Sequence, residues 1–307
     1  MTPRKTLPTF IALFCVLVSG CIVPSADQTV TPSSASTDTV RLAAWNVEHL
    51  ADDNGEGCRP RTDDDYALMR SYIDQVDADV WFLQEVENEA ALTRVFADGW
   101  AIYVDERVMP NTNWPTCYDN PDQRLGMQRT AIVVRDGIEH RRLPDLSTLD
   151  VEGYGGLRPG VRVILAGDHP VELISLHLKS GCFTGQDRDA CPILFEQLRV
   201  LEAWIDQQSA EEHPVIMAGD FNRRLEAPGD EFWNDLNDGS PSSLHIAGEG
   251  TGPRCSPRYR EFIDFIVFND AAYDAYVRGS FNETTFDEEP DRQPSDHCPI
   301  AVEVRRE

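Results

Sequence analysis

Short apolar runs bounded by polar or turn residues recur along most of the chain. Such runs are typical of buried β-strands, whereas apolar residues recurring every three or four positions are typical of helices. The runs predict strands at 40–47, 80–83, 130–134, 161–165, 173–178, 214–218, 262–268 and 300–304. Helical spacing predicts two helices, one over 64–76 with Ala67, Met69, Tyr72, Ile73 and Val76 on its apolar face, and one over 191–205.

Strands and helices intermix, and several neighbouring strands are joined by only short links. A purely parallel sheet needs a long crossover between strands, so this pattern favours a mixed α/β sandwich. With 307 residues and 41% hydrophobic residues, the chain can build a large core, which excludes a disordered or fibrous protein. No break in composition interrupts 40–307, so we expect one folded domain there.

The first 21 residues predict an export signal. Arg4 and Lys5 precede an apolar run over 10–18 that is too short to span a bilayer comfortably. The run ends in LVSGC, which resembles a bacterial lipobox, so Cys21 is the expected lipidation site and the expected N-terminus of a protein anchored in the cell envelope. An ordinary cleaved signal, giving a secreted protein, is the alternative. Residues 22–39 are mostly small and polar and predict a flexible tether.

Six cysteines remain once Cys15 and Cys21 are set aside, and an even number in an exported chain favours disulfides. Cys182 and Cys191 bracket a short polar loop and form the first expected pair. Cys58 with Cys117 is a second plausible pair, because both lie in loops rich in Pro, Asp and Asn. Cys298 is equally consistent with a buried free thiol, and Cys255 completes the set. Six cysteines allow 15 pairings, so the sequence leaves the pairing open.

The charge is strongly acidic. There are 27 basic and 53 acidic residues, a net charge of −26, and only Lys5 and Lys179 are lysines. Such a surface repels nucleic acid and anionic lipid at long range, although a local site can still attract phosphate. The sequence indicates no protein partner.

Six polar clusters lie at or beside apolar runs, in chain order: WNVE (45–48), QEVEN (84–88), HLK (177–179), GDFN (219–222), IDF (263–265) and SDH (295–297). Carboxylates and amides are ligands for hard divalent cations, and histidines can move protons. A single Asp after a strand is usually a turn or cap residue, but six such clusters in order are hard to explain that way.

These segments, in this order, resemble the endonuclease/exonuclease/phosphatase superfamily, which includes deoxyribonuclease I, abasic-site endonucleases, sphingomyelinases and inositol-polyphosphate phosphatases. The resemblance covers essentially all of 40–307. It implies a deoxyribonuclease I-like four-layer αββα sandwich of two packed mixed β-sheets, with the active site at one edge of the sheets. It also implies a divalent metal ion, with Mg²⁺ expected and Mn²⁺ or Ca²⁺ as alternatives.

The resemblance also implies roles for individual residues. The expected metal ligands are Glu85, Asn46, Asp296 and Asp220. The expected catalytic residues are His297, Asp264, Asp220, Asn222 and His177, with Asp264 positioning His297. The expected phosphate contacts are Arg158, Asn222 and Lys179.

Some features leave alternatives open. Gln128 stands where nucleases of this superfamily carry a carboxylate that supports the second histidine, which puts an acid role for His177 in question. Arg254, Arg258 and Arg260, like Arg223 and Arg224, fit either phosphate contacts or ordinary solvated charges.

The predicted function is hydrolysis of phosphodiesters outside the cytoplasm, with DNA or RNA as the expected substrate. A sphingomyelinase-like or small-molecule phosphoesterase is the alternative. An inactive binding protein is disfavoured, because such a chain is expected to have lost some of the residues that all stand in place here: Glu85, Asp220, Asn222, Asp264, Asp296 and His297.

Overall fold

The computed structural model describes residues 39–108, 114–153, 156–167 and 169–306. The strands in these ranges are β1 Thr39–Leu50, β2 Val80–Val86, β3 Trp100–Val104, β4 Arg129–Arg135, β5 His140–Leu146, β6 Gly160–Leu165, β7 Val171–His177, β8 Val215–Asp220, β9 Leu244–Ile246, β10 Asp264–Asn269, β11 Asn282–Glu283 and β12 Ile300–Arg305. The helices are α1 Asp63–Val76, α2 Glu89–Thr93, α3 Cys191–Ala210, α4 Glu231–Leu236 and α5 Asp270–Tyr273, with a 3-10 turn at Ser147–Leu149.

The strands form two six-stranded mixed sheets. The first has the order β11-β12-β1-β2-β4-β3 and the second β5-β6-β7-β8-β10-β9. Each sheet contains one parallel pair, β1 with β2 and β7 with β8, and its other neighbours are antiparallel. This arrangement confirms the predicted α/β sandwich of two packed mixed sheets.

Strand β1 shows why the inner strands read as continuous apolar runs. Leu42 and Ala44 belong to the core between the two sheets, while Ala43 and Trp45 belong to the core under α1. Successive side chains of a strand point to opposite faces, so a strand covered on both faces needs apolar residues at every position. Strand β2 repeats the pattern.

Helices cover the outer faces. Helix α1 begins with a capping box, in which the Asp65 carboxylate accepts a hydrogen bond from the Thr62 backbone N–H at 2.8 Å. Its buried face carries Tyr66 rather than the expected Ala67, which is exposed. Helix α3 covers the second sheet through side chains that include Leu194, Leu198 and Leu201.

All six remaining cysteines are paired, as Cys58–Cys117, Cys182–Cys191 and Cys255–Cys298. The first two pairs match the expectation, and the free-thiol alternative for Cys298 is wrong. The chain between β9 and β10 carries Cys255 to the start of β12, where Cys298 lies. Three disulfides are typical of a protein that folds in an oxidising, extracellular environment.

The expected signal segment, Cys21 and the tether up to residue 38 lie outside the described residues, and these remain predictions. Within the described part of the chain, no helix has both the length and the apolar character needed to cross a bilayer.

Candidate active site

The topology brings all the expected catalytic residues to one edge of the two sheets. Parallel strands end on the same side, so Asn46 and Glu85, near the ends of β1 and β2, lie close together, as do His177 and Asp220 at the ends of β7 and β8. Antiparallel strands begin where their neighbours end. Strand β10 therefore starts with Asp264 opposite Asp220, and the loop before β12 places a sixth residue, His297, against Asp264.

Gly219 explains how the two sheets approach so closely at this edge. Its φ is +133°, and a Cβ there would lie 2.2 Å from the Leu176 carbonyl oxygen and 2.6 Å from Gln84 Nε2. Leu176 belongs to the second sheet and Gln84 to the first. Only glycine fits this position, so Asp220 meets Asn46 of the opposite sheet.

Several site residues hold a left-handed backbone. Glu85 has φ 63°, Asn222 has φ 52°, and Glu48 and His49 have φ 47° and 52°. Non-glycine residues rarely adopt this conformation, and several of them in one site are held there by the surrounding structure. For Glu48, His49 and Glu85 it coincides with the end of regular pairing between β1 and β2, where the register shifts between Asn46 and Leu50.

Asp264 and His297 form a dyad. His297 Nδ1 lies 2.7 Å from Asp264 Oδ2, which leaves Nε2 directed away from the pair. Burial alone would lower the pKa of His297, but the carboxylates of Asp264, Asp220 and Asp296 raise it well above the usual range. The ring is therefore an imidazolium at neutral pH in the absence of a bound cation.

Asp220 is the most enclosed carboxylate of the site. Its Oδ1 accepts a hydrogen bond from the Asn222 backbone N–H at 2.7 Å, and its Oδ2 accepts from the side-chain amides of Asn46 and Asn222, each at 3.1 Å. Burial, with the nearby charge of Asp264, raises the pKa of Asp220 to about 7. This carboxyl can exchange a proton near neutral pH.

Glu85 lies beside this group. Its Oε1 is 3.5 Å from Asn46 Nδ2, and its Oε2 accepts a hydrogen bond from the His49 backbone N–H at 3.1 Å. Burial favours the neutral acid, yet His49 and Arg158 outweigh burial and lower the pKa of Glu85. Glu85 is therefore an ionised, largely buried carboxylate that faces Asn46.

His177 is 2% exposed, and its Nε2 lies 3.6 Å from Asp220 Oδ2 and 3.9 Å from Glu85 Oε1. Burial, together with the charge of Arg158, lowers its pKa well below the usual range. Among the described residues, no group hydrogen-bonds to its Nδ1. His177 is therefore a neutral ring at physiological pH.

Gln128 does not support His177. Its Oε1 accepts a hydrogen bond from Arg158 at 2.6 Å, and its Nε2 lies 3.3 Å from His49 Nδ1. Arg158 is thus held next to the site by Gln128. The Lys179 ammonium donates to the Ser180 carbonyl at 3.0 Å. The substrate-contact roles of Arg158 and Lys179 remain predictions.

The two arginines after Asn222 have different environments. Arg223 is fully buried and pairs with Asp230 at 2.7 Å, and it also donates to the carbonyls of Cys182 and Gly185. Arg223 is therefore a structural residue. Arg224 lines the cleft and lies 3.6 Å from Glu261.

Sequence reasoning passed over Glu48 and His49 as site residues. Glu48 accepts a hydrogen bond from the Asp296 backbone N–H at 3.0 Å, and burial together with the Asp296 charge raises its pKa. His49 Nδ1 lies 3.5 Å from Glu85 Oε2. Both residues directly follow Asn46 and Val47 in the chain. This adjacency to an expected metal ligand was the sequence signal that could have identified them as site residues.

The site opens into a cleft of about 420 Å³. Its lining residues include Asn46, Glu48, His49, Glu85, His177, Asp220, Asn222, Asp264, Asp296 and His297. Of the expected site residues, only Arg158 and Lys179 are not part of this lining.

The donor set fits a divalent cation. Asp220, Asp264 and His297 offer ligand atoms that all lie within 4.8 Å of one another. Because Asp264 and His297 already bind each other, the carboxylate oxygens of Glu85 and Asp220 are the more suitable ligands for a hard ion. Asn46 lies beside them but turns its amide nitrogen toward both carboxylates, while its oxygen accepts a hydrogen bond from the Glu48 backbone N–H at 3.1 Å. A cation there would offset the unfavourable burial of the Asp220 charge.

Several solved structures share this fold. A structure of TDP2 from C. elegans is 18% identical, covers 87% of this chain and 75% of that chain, and has a TM-score of 0.56. The structure of the human nocturnin catalytic domain with bound sulfate is 17% identical and has a TM-score of 0.54. The match covers 86% of this chain and 93% of that chain. The AP endonuclease LMAP from Leishmania major is 18% identical over 93% of both chains, with a TM-score of 0.53.

The two packed mixed sheets define the deoxyribonuclease I-like fold. Residues 43–297 match the model of the Endonuclease/Exonuclease/phosphatase family, and the chain belongs to this family. The family consists of hydrolytic phosphoesterases, which typically use divalent metal ions. The comparison with curated proteins gives no match.

Proposed function

We propose that this chain is a Mg²⁺-dependent phosphodiesterase that cleaves nucleic acid outside the cytoplasm. The observation that carries the proposal is that two groups lie next to each other in one cleft: the Asp264–His297 dyad, and Asp220 with Asn222. Asp264 is the partner of Asp220 on the neighbouring strand. Hydrolysis of a phosphodiester needs an activated water and a group that offsets the charge on the phosphoryl oxygens.

Asp220 is suited to be the base. It lies with Asn222 at the floor of the cleft, where burial and the charge of Asp264 raise its pKa, and in its ionised form it can accept a proton from a water molecule. The Asn222 side chain is fixed by the Leu178 carbonyl at 3.1 Å, which holds this amide in position beside the water.

His297 is suited to stabilise charge. Its raised pKa keeps it cationic, and Asp264 fixes the ring so that Nε2–H can donate to a phosphoryl oxygen. His177, which is neutral and buried between Asp220 and Glu85, can position substrate or water by hydrogen bonding.

Glu85 and Asp220 would hold the cation through their carboxylate oxygens, with Asn46 beside them and with Asp296 and Glu48 at the rim of the same cleft. A bound Mg²⁺ would polarise the phosphoryl group as a Lewis acid. The disulfides and the expected lipobox support the further proposal that the enzyme is exported and anchored at Cys21.

A substrate panel tests this function. The oxidised protein is incubated with Mg²⁺ and, in separate reactions, with supercoiled plasmid DNA, single-stranded DNA, RNA, sphingomyelin and sugar phosphates. We expect cleavage of nucleic acid that EDTA abolishes and added Mg²⁺ or Mn²⁺ restores. Hydrolysis of only the lipid or the sugar phosphates would contradict the nuclease proposal, and EDTA-resistant hydrolysis would contradict the metal dependence.

A further inference from the structure

One wall of the cleft is formed by the loop of residues 253–262, which we name the Tyr259 loop. It leads into β10, whose first residue is Asp264. Five of its residues line the cleft: Pro253, Cys255, Tyr259, Glu261 and Phe262. The loop therefore borders the space in which the proposed reaction takes place.

The Tyr259 loop is fixed at both ends. Cys255 is bonded to Cys298, the residue after His297, and the backbone N–H groups of Arg254 and Cys255 donate to the Glu283 carboxylate at 2.5 and 3.2 Å. At the other end Phe262 is 8% exposed and packs in the core between the sheets. The loop therefore presents Tyr259 to the cleft from a defined position.

In the middle of the loop, Tyr259 stands between two arginines in the sequence, Arg258 and Arg260. Tyr259 is 48% exposed, one of the few large apolar side chains exposed in the described part of the chain. Arg258 and Arg260 are exposed, and within the described ranges their guanidinium groups have no ion-pair or hydrogen-bond partner. By contrast, neighbouring Arg254 and Arg224 are paired with Glu283 and Glu261.

We propose that the Tyr259 loop is a subsite for a single nucleic-acid strand, in which Tyr259 stacks on a base near the scissile phosphate while Arg258 and Arg260 contact neighbouring phosphates. This inference rests on the proposed phosphodiesterase function. Aromatic rings combined with cations that follow the backbone are how proteins hold single strands, because every base has a face that can stack.

The charges of the cleft favour one strand over a duplex. The other charged side chains at the rim are mostly acidic and include Glu48, Asp119 and Asp296, while Arg224, which also lines the cleft, is paired with Glu261. A duplex presents two phosphate backbones and needs cations along both. A single strand has only one backbone, which the two arginines of the Tyr259 loop can contact. The net charge of −26 further disfavours a long duplex contact.

The same features disfavour a choline headgroup. A quaternary ammonium ion binds to the face of an aromatic ring, and Tyr259 offers such a face. The guanidinium groups of Arg258 and Arg260 on either side would repel that cation. Their charges instead match the phosphates that flank a nucleobase.

Binding is the most direct test. The inactive His297→Ala protein is titrated with a fluorescent thymidine octamer and with an abasic octamer of the same length, and each variant is built on that background. We expect Tyr259→Ala to weaken binding of the thymidine octamer about tenfold and to leave the abasic octamer unaffected, since stacking of one base contributes on this order. Tyr259→Trp should retain binding.

Loss of either arginine should change binding in a different way from loss of Tyr259. Arg258→Ala and Arg260→Ala should weaken both octamers and each reduce the slope of log Kd against log salt by about 0.7, as for one lost phosphate contact on a single strand. Arg141→Ala is the matched control. Arg141 is exposed, also has no partner among the described residues, and lies on β5 outside the cleft, so its loss should change neither quantity.

Three results would overturn the subsite: equal effects of Tyr259→Ala on both octamers, no effect on either, or tighter binding of a duplex than of the single strand. Turnover of methyl 4-nitrophenyl phosphate, a diester without a nucleobase, is measured in parallel. These assays use the same loop variants with His297 intact. Absence of turnover on every diester contradicts the proposed function, whereas turnover with unaffected strand binding contradicts this subsite alone.

Discussion

At the scale of single residues, the site combines a carboxyl group and an imidazole that both hold a proton more tightly than usual. Burial and Asp264 raise the pKa of Asp220 to about 7. The same Asp264, against the opposing effect of burial, raises the pKa of His297. One carboxylate therefore tunes both groups, and in our account Asp220 must lose its proton while His297 must keep its own.

This account predicts a bell-shaped dependence of kcat/KM on pH. Activity should rise as Asp220 ionises, at or below about pH 7, and fall at alkaline pH as His297 becomes neutral. Asp264→Asn removes the charge that raises both pKa values, so both limbs should move to lower pH. Rates measured across pH 4–10 check this, a range that spans the ordinary pKa values of both groups. Limbs that stay in place in the variant would contradict the shared role of Asp264.

At the same scale, residue types and their order were enough to predict Asn46, Glu85, Asp220, Asp264 and His297 as cleft residues. The partners of these residues could not be read from the sequence. Gln128, for example, binds Arg158 and His49 because of where β4 lies in the first sheet, and strand order is a property of the folded chain.

At the scale of elements, the unpredicted strands share one property. Strands β3, β5, β9 and β11 are the four edges of the two sheets. An edge strand is less covered than an inner one, so its sequence need not be continuously apolar. Strand β5, for example, reads HRRLPDL. The inner strands, which are covered on both faces, were all predicted.

A further prediction concerns the segment between β8 and α4. Arg223 and Asp230 form a buried ion pair, and Asp230 also caps α4 by accepting from the Trp233 backbone N–H at 3.0 Å. Arg223→Ala leaves a buried carboxylate without its partner, so it should lower the free energy of unfolding by about 3–5 kcal/mol. Urea denaturation of the oxidised protein measures this change.

The adjacent Arg224→Ala is the control. The Arg224–Glu261 pair is more than one-third exposed at both side chains, so its loss should cost only about 0–1 kcal/mol. Equal destabilisation by the two variants would contradict the structural role assigned to Arg223.

At the scale of the whole molecule, the three disulfides surround the cleft. Cys117 lies two residues from Asp119, Cys182 precedes Phe183, and Asp119, Phe183 and Cys255 all line the cleft. The disulfides thus fix the loops that shape the substrate space as well as the fold.

Their loop lengths predict unequal contributions to stability. Cys58–Cys117 spans 59 residues and Cys182–Cys191 spans 9. By restricting the unfolded chain, the first disulfide should contribute about 4 kcal/mol to the free energy of unfolding and the second about 2.5 kcal/mol. Double Cys→Ser variants compared by urea denaturation test this order. A larger loss from the Cys182/Cys191 variant would contradict it.

The central claim is that the residues meeting at this sheet edge hydrolyse phosphodiester bonds. The most direct measurement is the rate of hydrolysis of bis(4-nitrophenyl) phosphate with Mg²⁺ by the native protein and by Asp220→Ala and His297→Ala. The control is His245→Ala, whose ring stacks on Tyr273 away from the cleft. We predict losses of at least about 100-fold for the two site variants and near-native rates for the control, with all proteins folded. Near-native turnover by folded Asp220→Ala or His297→Ala, or no turnover by the native protein, would contradict the account.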